Sequence, residues 1–155
     1  MYKKILVPLD GSERAETILS HVEELAHCSD AEVIFLEVVV PEVVFTPTHG
    51  MIRDIHVEEQ KLEELVDQAK AYLSGLVEAF EEKDIRARSL VEVGSVVQMI
   101  IDKADEEGAD LIAMASHGRA GLSHVFYGSV AAGVLHRVDR PLLLVRAEEE
   151  QPTEA

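Results

Sequence analysis

The sequence predicts an α/β domain built on an open, five-stranded parallel sheet with helices on both faces. Short apolar runs alternate along the chain with segments whose apolar residues recur at helical spacing, and turn-forming or capping residues separate the two kinds of segment. This alternation favours a parallel sheet, because each right-handed crossover returns the chain over one face. The 155 residues suffice for one such domain.

The first predicted strand is a continuous apolar run, typical of a strand that is buried on both faces, and the second is rich in β-branched and apolar residues. The five runs are residues 4–9, 31–40, 87–93, 110–114 and 141–145. Four helices are predicted between them, from apolar residues spaced three and four apart. These helices cover residues 18–26, about 56–82, 97–107 and 130–138.

The connections carry recognisable end signals. Asp10-Gly11-Ser12 is a turn and capping cluster, and Ser95 with Gln98 matches a capping box, in which each side chain binds the other residue's backbone N–H. Residues 41–55 show no clean period and contain Pro47 and Gly50, so we predict a long loop, a kind of segment that often acts as a lid. Residues 1–147 then form the domain, and residues 148–155 form an acidic tail that we expect to be disordered.

The composition excludes several classes of protein. The formal charge of −16, from 14 basic and 30 acidic residues, repels phosphate backbones and argues against nucleic-acid binding. No apolar run is long enough to span a membrane, and no signal-peptide layout is present, so we expect a cytoplasmic protein. The single cysteine, Cys28, rules out an internal disulfide and is expected to be a buried small apolar residue.

Residues 112–130 form the stretch with the clearest functional pattern. An apolar run leads through Ser116 and Gly118 to Gly128-Ser129, directly before a helical pattern. Such loops bind anions, because small residues expose backbone N–H groups and the helix start adds free donors and a positive dipole end. We expect the loop to hold nucleotide phosphates, with Ser129 as N-cap or phosphate ligand. Further candidates are Ser116, His117 and Arg119, each of which could equally be an ordinary loop residue.

In open α/β sheets, ligands bind at the carboxyl ends of the strands, where the strand order reverses. If the first strand is flanked by the second and fourth, this crevice is lined by Pro8, Leu9, Asp10, Val38, Met114 and Ala115. Asp10 could accept hydrogen bonds from a ribose hydroxyl or an adenine amine, or help hold Mg²⁺; alternatively it only caps the following helix. Val38 would form an apolar wall for a base, or belong to the core.

Motifs of several enzyme classes are missing from the sequence. There is no G-x-x-x-x-G-K-[ST], no G-x-G-x-x-G after the first strand and no G-x-S-x-G. No obvious base lies beside a nucleophile, so nothing in the sequence requires catalysis.

Two stretches give the chain a family resemblance. One is the opening, Ile5-Leu6-Val7-Pro8-Leu9-Asp10-Gly11-Ser12, and the other runs from Asp110 to Arg119 and is followed by Gly128-Ser129-Val130 and Arg140-Pro141. These stretches resemble the universal stress protein family. Its nucleotide-binding branch carries G-x2-G-x9-G-[ST], which Gly118, Gly128 and Ser129 match. Ala115 stands where that branch has its first glycine. A methyl group there either crowds ribose or phosphate, or is accommodated by a backbone with φ below zero.

The resemblance implies a sheet of strand order 3-2-1-4-5 that binds ATP, with or without Mg²⁺. Asp10 and Val38 would meet the adenosine, Pro8 and Met114 would shape the pocket, and Gly118, Gly128, Ser129 and Val130 would meet the phosphates and ribose. It also implies a homodimer that pairs the last strand, Leu142, Leu143, Leu144 and Val145, across a two-fold axis.

Three functional hypotheses follow. The first is an ATP-binding stress-response protein that acts as a nucleotide-dependent regulatory or interaction switch. The second is a nucleotide-free interaction module, for which Ala115 is the best argument. The third is a slow ATPase or autokinase, which would need Mg²⁺ near Asp10.

Overall fold

The computed structural model describes residues 1–48, 51–116 and 128–147, and for residues 44–48 and 51–57 it describes the backbone alone. The strands are β1 Lys4–Leu9, β2 Glu32–Val39, β3 Val43–Thr48, β4 Met51–Val57, β5 Ala87–Val93, β6 Leu111–Ala115 and β7 Leu142–Val145. The helices are α1 Glu13–Glu16, α2 Leu19–Ser29, α3 Glu59–Glu81, α4 Val96–Glu106 and α5 Ser129–Arg137. No helix in the described ranges is long and apolar enough to cross a membrane.

The main sheet is parallel and has the order β5-β2-β1-β6-β7. Counting its five strands along the chain, this is the predicted order 3-2-1-4-5, and the predicted fold is confirmed. The apolar runs form central strands because both of their faces are covered.

Alternating strand residues supply two hydrophobic layers. Val7 and Phe35 face α1, α2 and α3, and the Phe35 ring meets that of Phe80 edge-on at 5.0 Å between centroids. Leu6 and Ile34 point to the opposite face, where α4 and α5 pack. These two layers hold the carboxyl ends of β1, β2 and β6 beside one another.

The prediction of a loop over residues 41–55 was wrong. β3 and β4 pair antiparallel, with Phe45 opposite Ile55 and a register shift between Thr46 and Pro47. A proline fits at such an irregularity because it has no N–H to donate. The β-branched and aromatic residues on either side outweighed Pro47 and Gly50, and α3 consequently begins at Glu59.

Two smaller predictions were also wrong. In the described structure Ser95 is the N-cap of α4 but its side chain makes no capping hydrogen bond; Gln98 instead donates to Asp102 at 2.6 Å and accepts from Arg137 of α5. Cys28 is exposed, because it lies two positions, about 200° around the helix, from the buried Ala26.

Candidate functional site

The crevice begins with the turn that follows β1. Gly11 has a φ of 77°, a conformation that glycine adopts readily, and this turn brings Ser12 back towards Asp10. Asp10 Oδ1 accepts hydrogen bonds from the Ser12 backbone N–H (2.9 Å) and hydroxyl (2.5 Å). Ser12 Oγ in turn accepts from the N–H of Ala15 at 3.2 Å and caps α1. Asp10 therefore orders the helix entry and remains half-buried at the crevice.

An apolar wall lies on the α4–α5 side of the crevice. Met114 is 5% exposed and belongs to this layer's core, against which the partly buried Val38 and Val130 pack. Pro8, half-buried in β1, alternates with residues of the other layer and so faces the same side. Three predicted pocket residues, from β1, β2 and β6, therefore share one side of the sheet with Val130 of α5, which was predicted to meet the phosphates and ribose.

Leu9 lies elsewhere. It is 5% exposed and packs in the layer formed by α1, α2 and α3. The structure brings it to the same strand end as Asp10 but separates its side chain from the apolar wall.

Ala115 ends β6, pairs with Val145 and is 7% exposed. Among the described residues, the two non-glycine residues with positive φ are Asp30 and Asp84, so Ala115 has ordinary extended backbone. Nothing in its backbone conformation requires a glycine. The alternative in which the methyl group is absorbed by a negative φ is the one that the geometry supports.

Ser116 is the most unusual polar residue of the crevice. It is 2% exposed, and its Oγ has no hydrogen-bond partner among the residues that the structure describes. Its backbone is fully engaged: the N–H donates to the Val145 carbonyl at 2.8 Å, and the carbonyl accepts from the Gly128 N–H at 2.6 Å. A buried hydroxyl without a partner costs roughly 1–3 kcal/mol, so this group calls for an explanation.

The N-terminus of α5 lies directly beside Ser116, through the bond to Gly128. Gly128, rather than the predicted Ser129, is the N-cap, and within the described structure no side chain caps this end. The first intrahelical bond runs from the Ala132 N–H to the Gly128 carbonyl at 2.9 Å. The preceding N–H groups of Ser129, Val130 and Ala131 are therefore available to an anion.

An acidic side lies across the crevice, and sequence reasoning missed it. Tyr72 of α3 donates its hydroxyl to Glu16 Oε1 of α1 at 2.7 Å, close to the carboxylates of Glu37 and Asp10. Burial, followed by the hydrogen bond to Glu16 and the negative charges, raises the pKa of Tyr72 well above its usual range. The one available signal in the sequence was Glu37, which interrupts the apolar run of β2.

Other predicted site residues cannot be placed. His117, Gly118 and Arg119 lie outside the described residues, as does the predicted tail, residues 148–155. Within the described ranges, no group of three or more His, Cys, Asp or Glu side chains is arranged to hold a metal ion.

Together these features define a class: an open parallel α/β domain whose crevice has an acidic side, an apolar wall and a donor-bearing helix start. The model of the universal stress protein family matches residues 1–146. The chain therefore belongs to the universal stress protein family.

The relatives agree in sequence and in structure. Universal stress protein MJ0577 of Methanocaldococcus jannaschii is 30% identical, over 94% of this chain and 96% of its own. Its solved structure matches with a TM-score of 0.78, over 96% of this chain and 99% of that chain.

Two other matching structures are complexes of universal stress proteins with nucleotides. A universal stress protein in complex with cAMP is 20% identical, with a TM-score of 0.63 over 95% and 98% of the two chains. A universal stress protein of Archaeoglobus fulgidus in complex with dAMP is 23% identical, with a TM-score of 0.65 over 93% and 98%. At these identities the likeness establishes the shared fold.

Proposed function

We propose that this chain binds an adenine nucleotide, ATP first of all, and acts as a nucleotide-dependent switch in the stress response. The observation that carries the proposal is the buried Ser116 hydroxyl, which has no hydrogen-bond partner among the described residues and lies beside the N-terminus of α5, where no described side chain forms a cap. A phosphate there would satisfy both the hydroxyl and the helix N–H groups. The cAMP and dAMP complexes of two relatives support the choice of ligand.

The charges of the crevice support one orientation for the nucleotide. Phosphates belong at the α5 end, because the Asp10, Glu16 and Glu37 carboxylates would repel them from the α1–α3 side. The base would then lie against Val38, Met114 and Val130, with Asp10 accepting from the ribose or the base. Mg²⁺ would screen the charge of ATP from Asp10.

Ser129 and the undescribed residues His117, Gly118 and Arg119 would complete the phosphate site. β7 is an edge strand of the described sheet, and we propose that a second copy pairs with it to form a dimer. A cytoplasmic location is part of the same proposal.

The first experiment identifies any nucleotide that copurifies with the protein. Mass spectrometry of the supernatant from freshly purified, denatured protein is followed by calorimetric titration with ATP, with and without Mg²⁺, and with AMP and cAMP. We expect bound adenine nucleotide or an affinity in the micromolar range. Protein that is empty and ignores all three ligands would favour the nucleotide-free interaction module.

Ser116→Ala gives a sharper test, because its two effects have opposite signs. Removing an unsatisfied hydroxyl should leave the ligand-free protein as stable as the wild type or more so. Losing a hydrogen bond to a charged phosphate should weaken nucleotide binding roughly ten- to a hundredfold. Ser89→Ala, at an exposed position of β5, is the matched control and should change neither quantity. Unchanged affinity in Ser116→Ala would remove the central support for the proposal.

A further inference from the structure

The N-terminal half of α3 extends beyond the sheet on which its other half packs. The 23 residues of α3 span about 34 Å, whereas the seven residues of the neighbouring β5 span about 23 Å. The fully buried residues of α3 are Ala69, Leu73 and Phe80, all in or beyond its middle. The earlier members of the same apolar stripe, Leu62 and Val66, remain only half-buried.

An apolar groove of about 350 Å³ lies under this overhang. Leu62, Val66 and Val93 supply its apolar lining, and Glu63, Asp67 and Lys70 supply its polar lining. Val93, the last residue of β5, is 42% exposed. The Gly94 N–H donates to the Val39 carbonyl, which brings the neighbouring Val40, 56% exposed, to the same sheet edge. Val40 and Val93 therefore add exposed apolar surface beside the groove.

The charge around the groove selects the occupant. Residues 58–70 contain five carboxylates and two cations, Lys61 and Lys70. Among the lining residues of the groove, Glu63 and Asp67 outnumber the one cation, Lys70. Lys61 is already committed, because its ammonium is ion-paired with Glu42, and this hydrogen bond raises the pKa of Lys61. A surface with an apolar centre and an acidic rim is complementary to an apolar partner with cationic flanks.

A second copy of this chain is a poorer match to the surface. Two copies would bring two acidic rims together in a protein whose formal charge is −16, with one lining cation, Lys70, for two lining carboxylates in each copy. The acidic rim equally disfavours nucleic acids and anionic membranes.

We propose that this groove docks a cationic amphipathic helix of a partner protein. One or two apolar side chains of that helix would lie against Leu62, Val66 and Val93, and its Lys or Arg residues would face Glu63 and Asp67. The surface is separate from the nucleotide crevice, so the two proposals can fail independently.

The test uses the full chain and a synthetic probe. A fluorescein-labelled Lys–Leu peptide, with its leucines on one helical face, is titrated with protein at low ionic strength and followed by fluorescence anisotropy. Two control peptides have the same residues in scrambled order, or Glu in place of Lys. We expect binding of the cationic amphipathic peptide alone, weakening as salt is added.

Matched variants locate the binding surface. The double variant Glu63→Gln, Asp67→Asn should weaken peptide binding about three- to tenfold. Glu78→Gln with Glu81→Gln removes the same charge from exposed positions later in α3 and should leave binding unchanged. Val93→Thr, at an exposed position, should weaken binding by a smaller factor. Circular dichroism and urea unfolding check that each variant stays folded.

Three results would overturn the proposal. The first is equal binding of the scrambled or acidic peptide, and the second is an equal loss of affinity in the Glu78, Glu81 control. The third is a smaller mass by light scattering for the Val93→Thr variant than for the wild type, which would make a second copy the occupant.

Discussion

Replacing Gly133 by alanine tests how closely α5 is held against α4. A Cβ built on Gly133 would lie 2.7 Å from Val97 Cγ2 and 3.2 Å from Cγ1. The nearer distance falls 0.7 Å short of the 3.4 Å at which ordinary contact begins. Val97 cannot rotate away, because its Cβ is itself only 3.5 Å distant and a valine in a helix has one strongly preferred rotamer. The two helices must therefore separate.

Two opposing terms set the expected size of the effect. Overpacking a core contact costs roughly 1–3 kcal/mol, whereas Gly→Ala in a helix interior gains about 1 kcal/mol. We expect Gly133→Ala to lower the free energy of unfolding by about 1 kcal/mol, equivalent to roughly 2–4 °C in Tm. Adding Val97→Ala vacates the space that the new methyl needs. The double variant should therefore be more stable than the sum of the single effects by at least about 1 kcal/mol.

Urea unfolding of the wild type, both single variants and the double variant measures this coupling. Gly75→Ala is the control, because a Cβ at that helical position meets nothing within 4 Å, and this change should stabilise the protein by about 1 kcal/mol. Effects of Gly133→Ala and Val97→Ala that add within about 0.5 kcal/mol would refute the close contact. So would a Gly133→Ala protein as stabilised as Gly75→Ala.

Three further changes test the site and its surroundings. Tyr72→Phe should lower the free energy of unfolding by about 1–2 kcal/mol at neutral pH, because the hydrogen bond to Glu16 is lost. Since the folded-state pKa of Tyr72 is raised, this advantage of the wild type should shrink above about pH 10, and the late phase of tyrosinate absorbance should vanish in the variant. The hydrogen bond from Arg88 lowers the pKa of Glu107, so Arg88→Met should raise the pKa of Glu107 in an NMR titration. The difference in stability between the wild type and this variant should shrink as the pH falls through the folded-state pKa of Glu107. Ala115→Gly should lower the free energy of unfolding by roughly 1–2 kcal/mol and should not improve nucleotide affinity in calorimetry, because the backbone at this position needs no glycine. Tighter nucleotide binding would show that the methyl group obstructs the ligand.

The sheet could be predicted because its signals are local and mutually consistent. β1, β2 and β6 are apolar runs with turn or capping residues at their ends, and two-faced burial is the environment that such runs fit. Their parallel arrangement then required the three carboxyl ends to meet at one edge. Asp10, Val38 and Met114 could therefore be assigned to one crevice from the sequence alone.

The failed predictions involve competition between signals or contacts distant in the chain. Pro47 and Gly50 outweighed the strand pattern of β3 and β4 in the sequence, whereas in the fold a register shift accommodates the proline. Gln98 matched a capping box, yet Asp102 one turn on and Arg137 from α5 engage its amide. Local spacing does not report either competitor.

The acidic side of the crevice illustrates the limit of sequence reasoning most clearly. Tyr72 lies 56 positions from Glu16, and no periodicity in α3 distinguishes it from a residue that simply packs on the core. The pairing becomes visible only when α3 lies across the sheet beside α1. Polar contacts between residues this far apart depend on the tertiary arrangement. The sequence predicted which layers the helices form but not which side chains meet between them.

The same contacts hold the candidate site and the core together. The Ser116 carbonyl anchors the Gly128 N–H at 2.6 Å, which sets the start of α5 beside β6, while Gly133 lets α5 approach Val97 one turn later. A helix start held at both points presents its N–H groups in a fixed place, and no side chain among the described residues caps them. In this arrangement the Ser116 hydroxyl is buried without a hydrogen-bond partner among the described residues, which is unfavourable, and a bound phosphate would supply that partner. Binding at that point should therefore stabilise the whole domain against unfolding, by an amount that grows with the logarithm of the free ligand concentration once this exceeds Kd.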